Sequence, residues 1–188
     1  ILLEVCGRAY WSFAHDVPFW RMDDIFYVYY PEAEAVHEFH CGDEGLDVLL
    51  LSASVLNKQF SPAIEPLLSE SLSARYDQRV CIHNVSRSAH PSLDSYHKYK
   101  DLSDLFFDLV IVYHGINETR ANNCPSPIFR DDYSHYAWYE KINALLEHDE
   151  IGYVVLPWTL RYAYLEFKSR HNPDQYITRH IPKSTSWM

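Results

Sequence analysis

The chain has no lysine- or arginine-rich run, and its 188 residues carry sixteen basic against twenty-six acidic side chains, a formal charge of −10. Phosphate binding needs a basic face, so no nucleic-acid partner is expected. The four cysteines, Cys6, Cys41, Cys81 and Cys124, include no C-x-x-C pair, so a zinc ribbon or thioredoxin-type site lacks its signature. Cys81 stands in an apolar run and reads as a small core residue. Glycine is scarce, with five in the chain. No glycine-rich phosphate loop follows the first apolar strand, which removes an α/β nucleotide binder. The eleven histidines include His37-Glu-Phe-His40-Cys41, which would align metal donors only on a helix. Gly42 and Gly45 argue for a loop there, and a solvated linker is the expectation. No metal and no cofactor are expected. No internal repeat is evident. The first eight residues are apolar but too short and too interrupted to span a bilayer.

What is present is a folding sequence. Hydrophobic residues make up 47% and aromatics 15%, which excludes disorder as the overall state and suits one domain with a real core. Residues 1–45 read as an aromatic-rich, irregular N-terminal arm, broken by Pro18, Pro31 and the acidic Glu32-Ala-Glu34. Its opening is either the tail of a membrane or signal helix or a short amphipathic helix on the domain. The chain opens on Ile1 rather than methionine, and a processed or partial form is expected.

From residue 46 the pattern turns regular. Residues 46–51, 79–83 and 109–113 are short apolar runs of strand length, and residues 62–76 and 92–107 are helical between them. On the second helix Leu93, Tyr96, Tyr99 and Leu102 fall near one face. The order β-α-β-α-β, at crossover-unit spacing, predicts a parallel sheet. Runs without alternation predict strands buried on both faces. Residues 131–148 should be a helix. Residues 151–156 form either a fourth strand closed by Pro157 or the start of a helix bent there. The aromatics Tyr153, Trp158, Tyr162, Tyr164 and Phe167 are expected in core or dimer packing, with a pocket lid as the alternative. Residues 169–188 show no strand, so the sheet is expected to be incomplete in this chain.

Each of the first three strands ends in small or polar residues: Ser52-Ala53-Ser54, then Asn84 to Ala89, then Gly115-Ile116-Asn117. Parallel strands bring these loops to one edge, where open α/β sheets bind ligands. A serine hydroxyl beside backbone N–H groups and an amide is the makings of a nucleophile with an oxyanion hole. Helix capping by the same residues is the plainer alternative. Asn84-Val-Ser86 and Asn117-Glu-Thr119 are also glycosylation acceptor patterns, and a glycan on Asn117 would destroy a donor.

These motifs resemble the SGNH hydrolases, the GDSL-type esterases and lipases. Leu-Leu-Leu-Ser-Ala-Ser54-Val stands where the family has Gly-Asp-Ser or Gly-Gly-Ser. The run from Asn84 through Ala89 to Ser92 follows the second motif, with Ala89 at the position of the oxyanion glycine. Gly115-Ile-Asn117-Glu118 is similar to Gly-x-Asn-Asp, and Tyr-His-Gly-Ile-Asn-Glu-x-Arg-Ala-Asn-Asn resembles a membrane-anchored bacterial subgroup. The resemblance implies a three-layer α/β/α sandwich with a doubly wound, flavodoxin-like parallel sheet, incomplete here, over residues 46–188. It implies Ser54 as nucleophile, with the Ala89 N–H and the Asn117 side chain holding the oxyanion.

The family's Asp-x-x-His motif has one match in spacing, Asp132-Tyr-Ser-His135, which comes too early in the fold; His83 and His114 are further candidate bases. A histidine outside this chain is the expected base. The implied function is hydrolysis or transfer of an acyl group at an ester, the partner being an acyl-ester small molecule, a lipid or an acylated glycan. Membrane association through the N-terminus, an oligomeric or complex-bound state and an extracytoplasmic or membrane-associated location go with that reading. The alternative is a catalytically degenerate domain serving as a binding or structural subunit, favoured by the replaced glycines.

Overall fold

A computed structural model of the chain describes residues 1–37, 41 and 45–177, apart from the side chains of Arg120 and Pro173. The helices are α1 (Leu2–His15), α2 (Ile25–Tyr29), α3 (Pro31–His37), α4 (Ile64–Tyr76), α5 (Ser92–Asp101), α6 (Ile116–Asn122), α7 (Ala137–Leu146) and α8 (Leu156–His171). The strands are β1 (Gly45–Ser52), β2 (Arg79–Asn84) and β3 (Leu109–Tyr113). The chain divides into two compact units, Tyr30–Arg120 and a second built from Ile1–Tyr29 with the residues from Ala121 onward.

The Tyr30–Arg120 unit is α/β. Its three strands form a parallel sheet in the order β2-β1-β3, as the β-α-β-α-β pattern predicts. The central β1 is buried through Val48–Leu51 because both of its faces are covered. On one face Leu49 and Leu51 pack with Val36 of α3, Val85 and Leu102 at the end of α5. On the other, Val48, Leu50 and Val80 pack with Leu68 and Leu72 of α4. The uninterrupted apolar run of β1 is the sequence form of a strand covered twice. β3 departs from that expectation. Among the described residues it is an edge strand with one neighbour, and Val112 (61%) and Tyr113 (56%) are exposed. Both halves of the pleat meet solvent, so its apolar run does not mark burial.

The helix faces also differ from the sequence reading. On α5, Tyr96 and Tyr99 are exposed, and the face turned inward carries Asp94, Ser95, His97 and Lys98. Polar groups are buried at low cost only when partnered, and Asp94, Ser95 and Lys98 are. The Tyr30 hydroxyl donates to Asp94 Oδ1 at 2.8 Å, and Lys98 Nζ lies 2.6 Å from Glu32 Oε1 and donates to the Val85 carbonyl at 2.7 Å. Burial lowers the Lys98 pKa against the opposing pull of Glu32. His97 is the exception: it is 8% exposed, and neither ring nitrogen has a hydrogen-bond partner among the described residues. Burial, with Lys100 adding to it, brings its pKa down to about 4.

Cys81 is a core residue as expected, but not a lone one. It is disulfide-bonded to Cys41, tying the segment ahead of β1 to β2. Gly45 makes this approach feasible, since a Cβ there would lie 2.6 Å from Cys41 Sγ. Beside the bridge, Asp47 accepts from the Cys41 N–H at 2.9 Å and lies 2.6 Å from Nε2 of buried His83.

Nor is the N-terminal arm irregular: residues 2–37 are mostly helical, and Pro31 opens α3 instead of breaking a pattern, since proline suits the first helical position. Within the second unit, α1 packs on α8. Trp11 and Trp158 are fully buried with stacked rings, which puts Trp158 in core packing, while Tyr153, Tyr164 and Phe167 are exposed. Residues 151–156 are not a strand. The Glu4 carboxylate accepts the N–H groups of Val155 and Leu156, each at 3.0 Å, and α8 starts there with Pro157 in its first turn. The helix expected over 131–148 is confined to α7, following turns. No helix among the described residues is long and apolar enough to cross a membrane.

Two outcomes are expected. Replacing Cys81 by alanine, or reducing the bridge, should lower unfolding free energy by about 2–4 kcal/mol, read from denaturant curves with and without a phosphine reductant. His97 fits only as the neutral imidazole, whereas the unfolded chain protonates near its ordinary value of 6.5. Its stability contribution is therefore complete above that pH and is lost as the pH falls toward 4, by about 2–3 kcal/mol. A His97→Leu variant should show a correspondingly shallower acid limb; an unchanged limb would contradict the assignment.

Candidate functional site at the carboxyl edge of the sheet

Parallel pairing aligns the strand ends: Leu50 of β1 sits opposite Asn84 of β2, and Ser52 of β1 opposite Tyr113 of β3. The alignment continues past the strands. The N–H of Val85 donates to the Leu50 carbonyl at 3.1 Å, and that of Arg87 to the Ser52 carbonyl at 3.3 Å. The buried Ser52 hydroxyl donates to the Tyr113 carbonyl at 2.6 Å. Side chains then join the three loops. Asn57 donates to the Ser86 carbonyl and Asn84 to the Leu56 carbonyl, each at 2.8 Å. Asn117 donates to the His90 carbonyl at 3.0 Å. Ser54 and Ala89 on two loops, and Asn117 in the first turn of α6, are therefore joined at one edge.

Ser54 is half-buried and opens a short 3-10 turn, Ser54–Leu56, directly after β1. Ala89 is exposed, with φ +69°. The His90 N–H bonds back to the Arg87 carbonyl, so Ala89 is the third residue of a β-turn. A positive φ at that position calls for glycine. Alanine here carries strain, at a cost on the order of 1 kcal/mol. Asn117 is buried, and its amide donates rather than accepts; an N-cap accepts, so capping does not account for it. Gly115, with φ +151°, makes the turn between β3 and α6. Asn84 accepts from the Ser86 N–H and donates to Glu65 as well as Leu56. Both potential glycosylation amides are thus occupied within the fold.

The candidate bases are occupied too. His83 is spent on Asp47. His135 is buried, with Nδ1 accepting the Arg130 N–H at 3.1 Å and Nε2 on the Ala121 carbonyl at 3.0 Å. That fixes its proton on Nε2 and gives it a structural task, while Asp132 holds the Ser134 N–H instead of orienting the ring. His114 has the look of a triad: Nε2 is 2.7 Å from Ser95 Oγ and Nδ1 is 3.4 Å from Glu118 Oε1. Yet Ser95 is 3% exposed inside α5, where its hydroxyl cannot meet a carbonyl substrate. Burial also lowers the His114 pKa, with Glu118 pulling the other way.

Behind the second loop lies an ionic group the sequence reading missed. Glu32 Oε1 meets Lys98, and Oε2 is 3.4 Å from Arg87 Nη1. His90, beside Ala89, lies 3.9 Å from Glu32 and 4.0 Å from Asp94, and burial drives its pKa down to about 2. No composition or spacing signal marks Glu32 or Lys98, because their pairing joins α3 to α5 across the sheet face. Glu118 had a signal: Gly115 and Glu118 stand at the N-cap and N3 spacing of a capping box.

Two donors of the His37-to-Cys41 run are engaged elsewhere. His37 Nε2 is 3.2 Å from Asp101, Cys41 is in the disulfide, and His40 lies outside the described residues. Cys41, Asp47 and Cys81 lie close enough to share an ion, but the two sulfurs are bonded to each other and are not free as thiolates.

No family model, no curated protein and no solved structure matches the chain.

Ala89→Gly should relieve the positive φ and leave the fold as stable or up to about 1 kcal/mol more so, the gain being offset in part by glycine's greater unfolded entropy. Ala89→Val should lose about 1–2 kcal/mol. Urea unfolding of the pair reads both signs, and a destabilised glycine variant would contradict the turn assignment.

Proposed function

We propose that the chain is an SGNH-type serine hydrolase or acyltransferase domain, with the three-layer, doubly wound fold of that family, acting on an ester. The observation that carries this reading is the hydrogen bond from the Asn117 amide to the His90 carbonyl. It locks the loop bearing one oxyanion donor to the residue after the other. The amide nitrogen has a second hydrogen, which this reading assigns to the oxyanion together with the N–H groups of Ala89 and Ser54. Ser54 attacks the carbonyl carbon, and the three donors hold the negative charge that develops on its oxygen.

The serine proton needs an acceptor. His83, His114 and His135 have other tasks, so the base in this reading is a histidine other than these. The disulfide supports an oxidising, extracytoplasmic setting, where such bridges persist. The acyl donor is a small ester, a lipid or an acylated glycan.

A degenerate binding subunit is the second reading. The strained alanine at the oxyanion turn favours it, because glycine would serve a working site without that cost.

Fluorophosphonate labelling of the folded chain separates the two. The hydrolase reading expects a single adduct on Ser54, none in Ser54→Ala, and a labelling rate about 100-fold lower in Asn117→Ala. A folded chain that leaves Ser54 unlabelled would sink it in favour of the binding subunit.

A further inference from the structure

Glu118 holds the starts of two helices at once. Oε2 accepts the N–H of Gly115 at 2.7 Å, and Gly115 immediately precedes α6. This is the reach-back half of a capping box, a carboxylate three residues into a helix closing on the N-cap backbone. Oε1 accepts the N–H of Ser92, the first residue of α5, at 2.5 Å. The first N–H groups of a helix have no partner in their own helix, and the dipole there favours negative charge. One carboxylate thus satisfies an orphan donor at each of two adjacent helices. The cost of its burial is outweighed by these backbone hydrogen bonds, and its pKa lies below the ordinary carboxylate range.

The residues it joins are the ones flanking the oxyanion donors. Ala89 lies three residues before Ser92, and Asn117 is the immediate neighbour of Glu118. His114 adds a second tie, with Nδ1 3.4 Å from Glu118 and Nε2 2.7 Å from Ser95 of α5. The segment from His114 into α6 is therefore pinned to the second loop and to α5 at three points: Asn117 to His90, Glu118 to Ser92, and His114 to Ser95.

We propose that Glu118 is a positioning residue: by capping α5 and α6 with one carboxylate, it sets the Asn117 amide and the Ala89 N–H at a fixed separation around the oxyanion. The proposal rests on the hydrolase reading but assigns Glu118 no contact with substrate. Donors aimed at a developing charge lose effect when displaced by fractions of an ångström, so the defect should fall on the chemical step and spare binding. Glutamine keeps the length and one acceptor oxygen, so it can retain one cap at a time; alanine keeps neither.

The test compares Glu118→Ala and Glu118→Gln with the wild-type chain on an activated ester, alongside the rate of Ser54 labelling and amide hydrogen exchange at Ser92 and Gly115. The expectation is kcat and labelling rate lower by about 10–100-fold in Glu118→Ala, with KM within about threefold and partial rescue in Glu118→Gln. Exchange at Ser92 and Gly115 should accelerate in Glu118→Ala while the β1 amides stay protected, which separates a loosened joint from an unfolded sheet. A labelled wild type with Glu118→Ala within twofold of it in kcat overturns the proposal and leaves the hydrolase reading standing, as does unchanged exchange at both amides. A wild type in which Ser54 is not labelled overturns the hydrolase reading itself, and the catalytic role of Glu118 with it.

Discussion

The parallel pairing of β1 with strands on both sides is the constraint on which the rest of this structure depends. It sets Leu50 against Asn84 and Ser52 against Tyr113, so that three loops leave the sheet within a residue or two of a common level. The backbone then carries the alignment past the strand ends, through Val85 to Leu50 and Arg87 to Ser52. A one-residue slip of β2 would turn Cys81 and His83 to the opposite face. It would break the disulfide and the Asp47–His83 contact together, so both act as register locks at the amino end while the loops are tied at the other.

The helices bring a second constraint of the opposite chemical kind. The sheet is held by apolar packing on both faces, but α5 turns Asp94, Ser95, His97 and Lys98 inward. Lys98 spans from Glu32 to the Val85 carbonyl, which places a buried charge directly under the loop that ends in Ala89. A buried ion pair contributes little net stability, whereas removal of one partner is costly. What such a pair supplies is geometry. The second loop is gripped by β1 from its own side, by Lys98 and Glu32 from beneath and by the third loop alongside, and that grip holds alanine in a backbone conformation glycine would enter freely.

Much of this was legible beforehand, and the reasons differ by element. The β1, β2 and β3 runs were readable because short β-branched and apolar segments bounded by turn residues have few other uses. That Ser54, Ala89 and Asn117 would meet at one edge was readable because strand ends in a parallel sheet must share an edge. The face of α5 was read only in part: Leu102 is buried, but Tyr96 and Tyr99 are exposed, because aromatic rings tolerate solvent and Lys98 buries when an acid waits for it. Residues 151–156 were ambiguous in sequence, and Glu4, far away in the chain, resolved them by taking the first N–H groups of α8.

By itself, the sequence determined the local order of strands and helices, the parallel sheet, and the loops that carry polar groups to its edge. These follow from residue type and short-range spacing, which act within a few residues. Tertiary structure decided what those groups do. It joined Cys41 to Cys81, spent His83, His114 and His135 on other partners, left β3 exposed at the sheet edge, and put one carboxylate between two helix starts. Each of these depends on the distance between residues far apart in the chain, and no periodicity or composition encodes that distance.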